Sequence, residues 1–220
     1  MCSGKKIVFI IGSTINPNPN KGLNYTNTRS IFSIEDRIKQ TADSIKSIRK
    51  FVPNSLIIVS DNSKTLPMET FKLLVDAGVD IILTHYKEET TDSIYKARGE
   101  ASCIMNGLRY LEEYSIDYDL LFKLSGRYSL TEKFGLTNFQ NDNKISCWIH
   151  PSNHAICTVL YSIPKKCIEK YTKAIELVLT KESHNSIEEQ LRTLLKDYLL
   201  GISSLGASGL VSVDGSHWEL

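Results

Sequence analysis

The residues of this chain best suited to chemistry stand where apolar runs stop. In Asp119-Leu-Leu-Phe-Lys-Leu-Ser-Gly-Arg-Tyr128 an apolar run ends on Lys123, Ser125, Gly126 and Arg127. A lysine, a hydroxyl, an unhindered backbone N–H and an arginine at the end of a buried strand suit an anion, and a diphosphate above all. The same Ser-Gly also describes a polar hairpin turn, so these residues alone leave both readings open. Three other runs end in polar clusters: Ile7–Ile11 in Gly12-Ser13-Thr14, Leu56–Ser60 in Asp61-Asn62-Ser63, and Val79–Thr84 in His85-Tyr86.

The elements that must position these clusters alternate. Each short apolar run is followed by a segment with helical periodicity, which predicts an α/β fold with a mostly parallel central sheet flanked by helices. Ser33-Ile-Glu-Asp36 reads as a helix N-cap, and Ile34, Ile38, Ile45 and Ile48 carry that helix to about Lys50. Further helices are expected at about Met68 to Asp76 and Ser93 to Tyr114. The polar stretch from Asn16 to about Arg29 is too long for an ordinary connection and reads as a surface loop or a lid. Beyond Leu124 the pattern changes. Ile145–Ile149 and Ala155–Tyr161 read as paired strands around His150-Pro-Ser-Asn-His154, and Pro164 opens a helix to about Leu179. Ser186, with Glu189 completing a capping box, starts a helix to about Leu200, and Leu210–Val213 is a final strand. In an open parallel sheet the strand-end clusters converge on one edge, so they can line one cleft.

Bulk properties narrow the partners. A 220-residue chain with 41% hydrophobic residues can form one domain with a sizeable core. A net charge of +1 gives no global case for nucleic acid or an anionic membrane. Five scattered cysteines, none in CxxC spacing, argue against a disulfide framework or zinc site and for reduced thiols in a cytoplasmic protein. The Ile7–Ile11 run is too short for a membrane anchor. There is no GxGxxG, no GxxxxGK[ST] and no GxSxG, which removes the main support for a dinucleotide oxidoreductase, a P-loop NTPase and an α/β-hydrolase.

Three features in order resemble the glycosyltransferase A (GT-A) fold. They are the first strand with the later helix Arg37–Arg49 before a strand ending at Asp61, the block Arg98-Gly-Glu-Ala-Ser-Cys-Ile-Met-Asn-Gly-Leu108, and the central strand Tyr118 to Ser125. The likeness covers roughly the first 130 residues well, implying a nucleotide-binding part at about 1–130 and an acceptor part at about 131–220 of a single domain.

The chain departs from the family at one point. Where the family carries its Asp-x-Asp metal motif, this sequence has Lys123-Leu124-Ser125. Asp117-Tyr118-Asp119 precedes the strand, and six strand residues span roughly 20 Å, so that pair is expected at the opposite edge as a solvated turn. The resemblance implies an enzyme moving a hexosyl or pentosyl group from a nucleotide-sugar donor to a glycan or other hydroxyl acceptor. Lys123 and Arg127 then hold the diphosphate with Ser125 and Gly126 beside them, replacing the divalent cation that metal-dependent members use. No cofactor is required on this reading, although manganese or magnesium is compatible with the family. Gly12, Ser13 and Thr14 are expected to border the nucleotide, and Asp61 and Ser63 to take base or ribose hydroxyls. Arg37 or Arg98 would add a phosphate contact, and His217 would fold back over the cleft, with Trp218 plugging the core. Glu188, free of the capping duty of Glu189, is the expected general base, or else a first-turn carboxylate favoured by the helix dipole. The rival readings are a sugar-phosphate nucleotidyltransferase, which normally shows a glycine-rich Arg/Lys turn after the first strand, and a non-catalytic binding module.

Overall fold

The computed structural model describes residues 4–152 and 154–220, leaving Cys2 and Asn153 outside the described residues. In chain order the elements are β1 (Ile7–Ser13), α1 (Ile34–Phe51), β2 (Leu56–Asp61), α2 (Met68–Asp76), β3 (Ile81–Thr84), α3 (Glu88–Thr91), α4 (Lys96–Glu113) and β4 (Leu120–Ser125). There follow β5 (Tyr128–Leu130), β6 (Ile145–Ile149), β7 (Ile156–Pro164), α5 (Ile168–Thr180), α6 (Ile187–Leu195), β8 (Leu199–Gly201), β9 (Ala207–Leu210) and β10 (His217–Glu219).

The main sheet has seven strands in the order β3-β2-β1-β4-β7-β6-β8. β1 to β4 pair in parallel, β7 runs antiparallel to both β4 and β6, and β8 is parallel to β6. The mostly parallel sheet flanked by helices is therefore present in a single α/β domain. Its inner strands β1, β2, β4 and β7 are buried on both faces, which explains their continuous apolar runs. Phe9 and Ile11 of β1 face the cluster built with α1 and α2, where Phe9 stacks on Phe122 at 4.6 Å. Val8 and Ile10 face the cluster of α4, α5 and α6. At Gly107 of α4 an added Cβ would come within 2.7 Å of Ile10 Cδ1, so the glycine lets this helix lie close on β1.

The second half departs from expectation at four places. Pro164 ends β7, and a 3-10 turn (Lys165–Cys167) separates it from α5. α6 stops at Leu195 because Leu199 and Leu200 pair with Ile145 and Ser146 of β6. The final strand is not Leu210–Val213. Instead, Ala207–Leu210 joins a three-stranded sheet between β5 and β10, held by backbone pairing that a Ser-Gly sequence does not advertise. Trp218 is 47% exposed on β10 and plugs no core. Asp117 lies at the opposite edge from the strand-end clusters, paired with Lys6 and Lys165, as its place before β4 requires. Cys103, Cys147, Cys157 and Cys167 are free and buried.

Candidate functional site

β1 and β4 end side by side, with Gly12 in register with Ser125, and β2 brings Asp61 beside Ser13. Over this carboxyl edge lies the segment 14–32. It is tied down by Asn16 N–H to Ser63 Oγ (2.8 Å), Asn24 N–H to the Ile94 carbonyl (3.0 Å) and the guanidinium of Arg29. Arg29 donates to the carbonyls of Lys21 (2.8 Å), Thr91 (2.9 Å) and Ser93. Beneath the strap is a cavity whose charged lining is Arg29, Arg37, Lys96, Glu100, Lys123 and Arg127.

These cations divide by what their donors already hold. Lys123 is buried at 2% exposure, and its ammonium donates to Glu100 Oε1, to Ser125 Oγ (2.9 Å) and to the Thr158 carbonyl (2.5 Å). All three of its donors are thus taken. Arg37 is equally buried, donating to the Thr14 carbonyl (2.5 Å), Ser30 Oγ (2.9 Å) and Ser212 Oγ (3.0 Å), so it fastens the strap to the chain end. Burial and the charge of Arg127 push its guanidinium down to about 9, Asp61 opposing, and it stays charged at neutral pH. Arg127 is different. Nε donates to the Leu210 carbonyl at 3.3 Å, while its two Nη groups have no acceptor among the described residues. Lys96, on the first turn of α4, likewise has no hydrogen-bond or ion-pair partner among them.

The smaller sequence candidates shape the loop. Asp61 is fully buried, its carboxylate accepting from Ile15 N–H (2.9 Å) and Ser63 N–H (2.8 Å). It therefore has no exposed oxygen for a ribose or base. Ser63 holds Asn16, Thr14 Oγ1 donates to Asn62 Oδ1 (2.7 Å), and Ser13 Oγ lies 3.5 Å from Thr41 Oγ1. Gly126 N–H is given to the Gly12 carbonyl at 3.0 Å, which removes it as an anion donor. Gly12, Ser13, Thr14 and Ser125 do line the cavity. Arg98 does not. It donates to the Leu179 carbonyl (3.0 Å), lies 3.8 Å from Glu182, and borders a separate cavity with His85 and Arg109. His217 is exposed on β10, its Nε2 2.8 Å from Ser208 Oγ, and it lines neither the cavity nor its neighbour.

A second cavity of about 230 Å³ adjoins the first, bordered by Tyr25, Tyr95, His184 and Glu188. The Tyr95 and His184 rings meet edge-on at 5.3 Å. Glu188 Oε1 accepts from Thr158 Oγ1 at 2.6 Å. Two charged residues, Lys96 and Glu100, line both cavities. Sequence reasoning missed this pair, although the signal was present: positions 96 and 100 are one helical turn apart and share a face, whereas Arg98 lies between them on another. Burial raises the Glu100 carboxyl, but Lys123 and Lys96 outweigh it and hold it below the usual carboxylate range. Burial and Arg127 push the Lys96 ammonium below the ordinary lysine range, with Glu100 and Glu188 opposing.

The residues at the end of β4 do not fit the divalent cation that the resemblance implies. An ammonium stands at the centre of that position, its carboxylate partner is ion-paired to it, and no group of three or more His, Cys, Asp or Glu among the described residues could hold a metal.

No sequence family matches the chain, nor does any curated protein match it in sequence. Solved structures do. The apo glycosyltransferase GlyE of Streptococcus pneumoniae TIGR4 aligns with a TM-score of 0.53 at 15% identity over 90% of this chain and 45% of that one. An active-site mutant of LgtC aligns with a TM-score of 0.57 at 13% identity over 90% and 72% of the two chains. A nucleoside-diphosphate-sugar pyrophosphorylase from Vibrio cholerae RC9 aligns with a TM-score of 0.51 at 13% identity over 91% and 93%. The chain has a GT-A-like fold and spans less than half the length of GlyE. No helix among the described residues is long and apolar enough to cross a membrane.

Proposed function

We propose that this chain is a glycosyltransferase that takes a nucleotide-sugar donor at the carboxyl edge of its sheet and a glycan or other hydroxyl acceptor in the adjoining cavity. The observation that carries this is the pair of cations without acceptors, Arg127 and Lys96, at the edge where this fold gathers its strand ends. A diphosphate is the ligand whose charge and spread of oxygens answers a fixed guanidinium and a mobile ammonium. On this reading Lys123 works from beneath. It adds positive potential without touching phosphate and holds Glu100 and the Thr158 carbonyl in place. Positive charge is then supplied to the leaving nucleoside diphosphate by side chains, and donor binding needs no divalent cation. The strap 14–32 shields the site from water once the donor is seated.

The test is release of nucleoside diphosphate from UDP-, GDP- and dTDP-sugars, and of CMP from a CMP-sugar, with methyl glycosides as acceptors and EDTA present. Turnover of one donor class at a rate unchanged by EDTA is the expected result. Pyrophosphate release from a nucleoside triphosphate and a sugar phosphate would instead mark a nucleotidyltransferase, and saturable binding with no turnover a binding module.

A further inference from the structure

Resting on that reading, we infer that Glu100, not Glu188, is the carboxylate that takes the proton from the acceptor hydroxyl. The inference comes from the wall between the two cavities. If the donor's diphosphate lies in the first cavity and the acceptor in the second, the reacting atoms must meet where the two join. Among the described residues, only Lys96 and Glu100 line both. Glu188 borders the second cavity alone. Glu100 Oε1 is fixed by the Lys123 ammonium, which sets the carboxylate plane, while Oε2 has no partner among the described residues.

The step balances on groups already named. The acceptor oxygen forms a bond to the anomeric carbon of the donor sugar, and its proton passes to Glu100 Oε2. The bond from that carbon to the diphosphate oxygen breaks, and its electron pair leaves on the nucleoside diphosphate, where Lys96 and Arg127 meet the added charge. Lys123 is a positioning residue: it keeps Glu100 ionised and oriented without contacting substrate. Lys96 and Glu100 stand one turn apart on α4, so a single rigid helix sets the distance between the leaving-group cation and the base.

The experiment compares transfer rate and nucleotide affinity in four variants, using the donor class the wild-type chain turns over and methyl glycosides as acceptors. Glu100→Gln is expected to slow transfer at least 100-fold while calorimetric affinity for the nucleotide stays within about threefold. Glu188→Gln is expected to cost at least tenfold less than Glu100→Gln. Because Glu100→Gln leaves a buried ammonium unpaired, the double variant Glu100→Gln/Lys123→Met removes both charges, and it is expected to recover thermal stability but not transfer. Lys123→Met alone is expected to move the acid limb of the pH–rate profile to higher pH. Recovery of transfer in the double variant, an unmoved acid limb, or a larger loss in Glu188→Gln would overturn the assignment. Absence of nucleotide binding by the wild-type chain would instead overturn the donor-site reading beneath it.

Discussion

At the residue scale, the site is decided by which donors are free. Arg127 and Lys123 stand close in the sequence, but one has two Nη groups with no acceptor among the described residues while the other has all three donors taken. Arg127→Ala and Lys96→Ala are each expected to weaken nucleoside diphosphate binding by about 1–3 kcal/mol, roughly five- to 150-fold in calorimetric Kd. Asp61 belongs to a different class. Removing its carboxylate leaves two backbone N–H groups without their acceptors in a buried turn, so Asp61→Ala is expected to cost about 3 kcal/mol in chemical denaturation. The sequence made the strand-end clusters legible because apolar runs stopping on polar residues are visible without coordinates. It could not reveal that Asp61, Ser63 and Gly126 would be used up by the loop itself, since those partners are set by tertiary closure.

At the scale of elements, the strap 14–32 and helix α4 wall the first cavity. Arg29 braces the strap internally at the Lys21 carbonyl and fastens it to the carbonyls of Thr91 and Ser93. Arg29→Ala is expected to speed amide hydrogen exchange across residues 18–28 by an order of magnitude or more, while β1 and β4 stay protected; uniform acceleration would mean the strap is not a separate unit. Helices with strong periodicity and caps were readable: the Ser33 and Ser186 capping boxes both form, and α2 keeps the bounds its pattern implied. The small strands β8, β9 and β10 were not. Each has three or four residues; β8 and β9 are fixed by β6 and β5, far away in the chain, and β10 forms only on β9, so local propensity has little hold over the pairing. In the Arg98 block, the helix face that lines the first cavity carries positions 96 and 100, whereas Arg98 borders another cavity.

At the scale of the whole molecule, a common fold carries an unusual charge arrangement. The buried Lys123–Glu100 pair joins β4 to α4, and its acid behaviour has a definite sign. The native Glu100 carboxyl lies below its ordinary 4.5, so the unfolded chain takes up that proton first as pH falls. The pair's contribution is therefore complete above about 4.5 and is lost as pH drops through the lower native value. Asp117, lowered to about 2 by its hydrogen bonds to Lys165 and Lys6, acts in the same direction. Thermal midpoints of the wild type should thus fall on acidification below about pH 4.5, and the double variant Glu100→Gln/Lys123→Met should show a shallower fall. Whether side-chain cations take the place of a metal is decided by calorimetric titration of the wild-type chain with UDP, GDP, CMP and dTDP, in EDTA and again in excess manganese. Saturable binding of one nucleotide in EDTA, with an affinity that manganese leaves unchanged, is the expected result. Binding that appears only with manganese would contradict it.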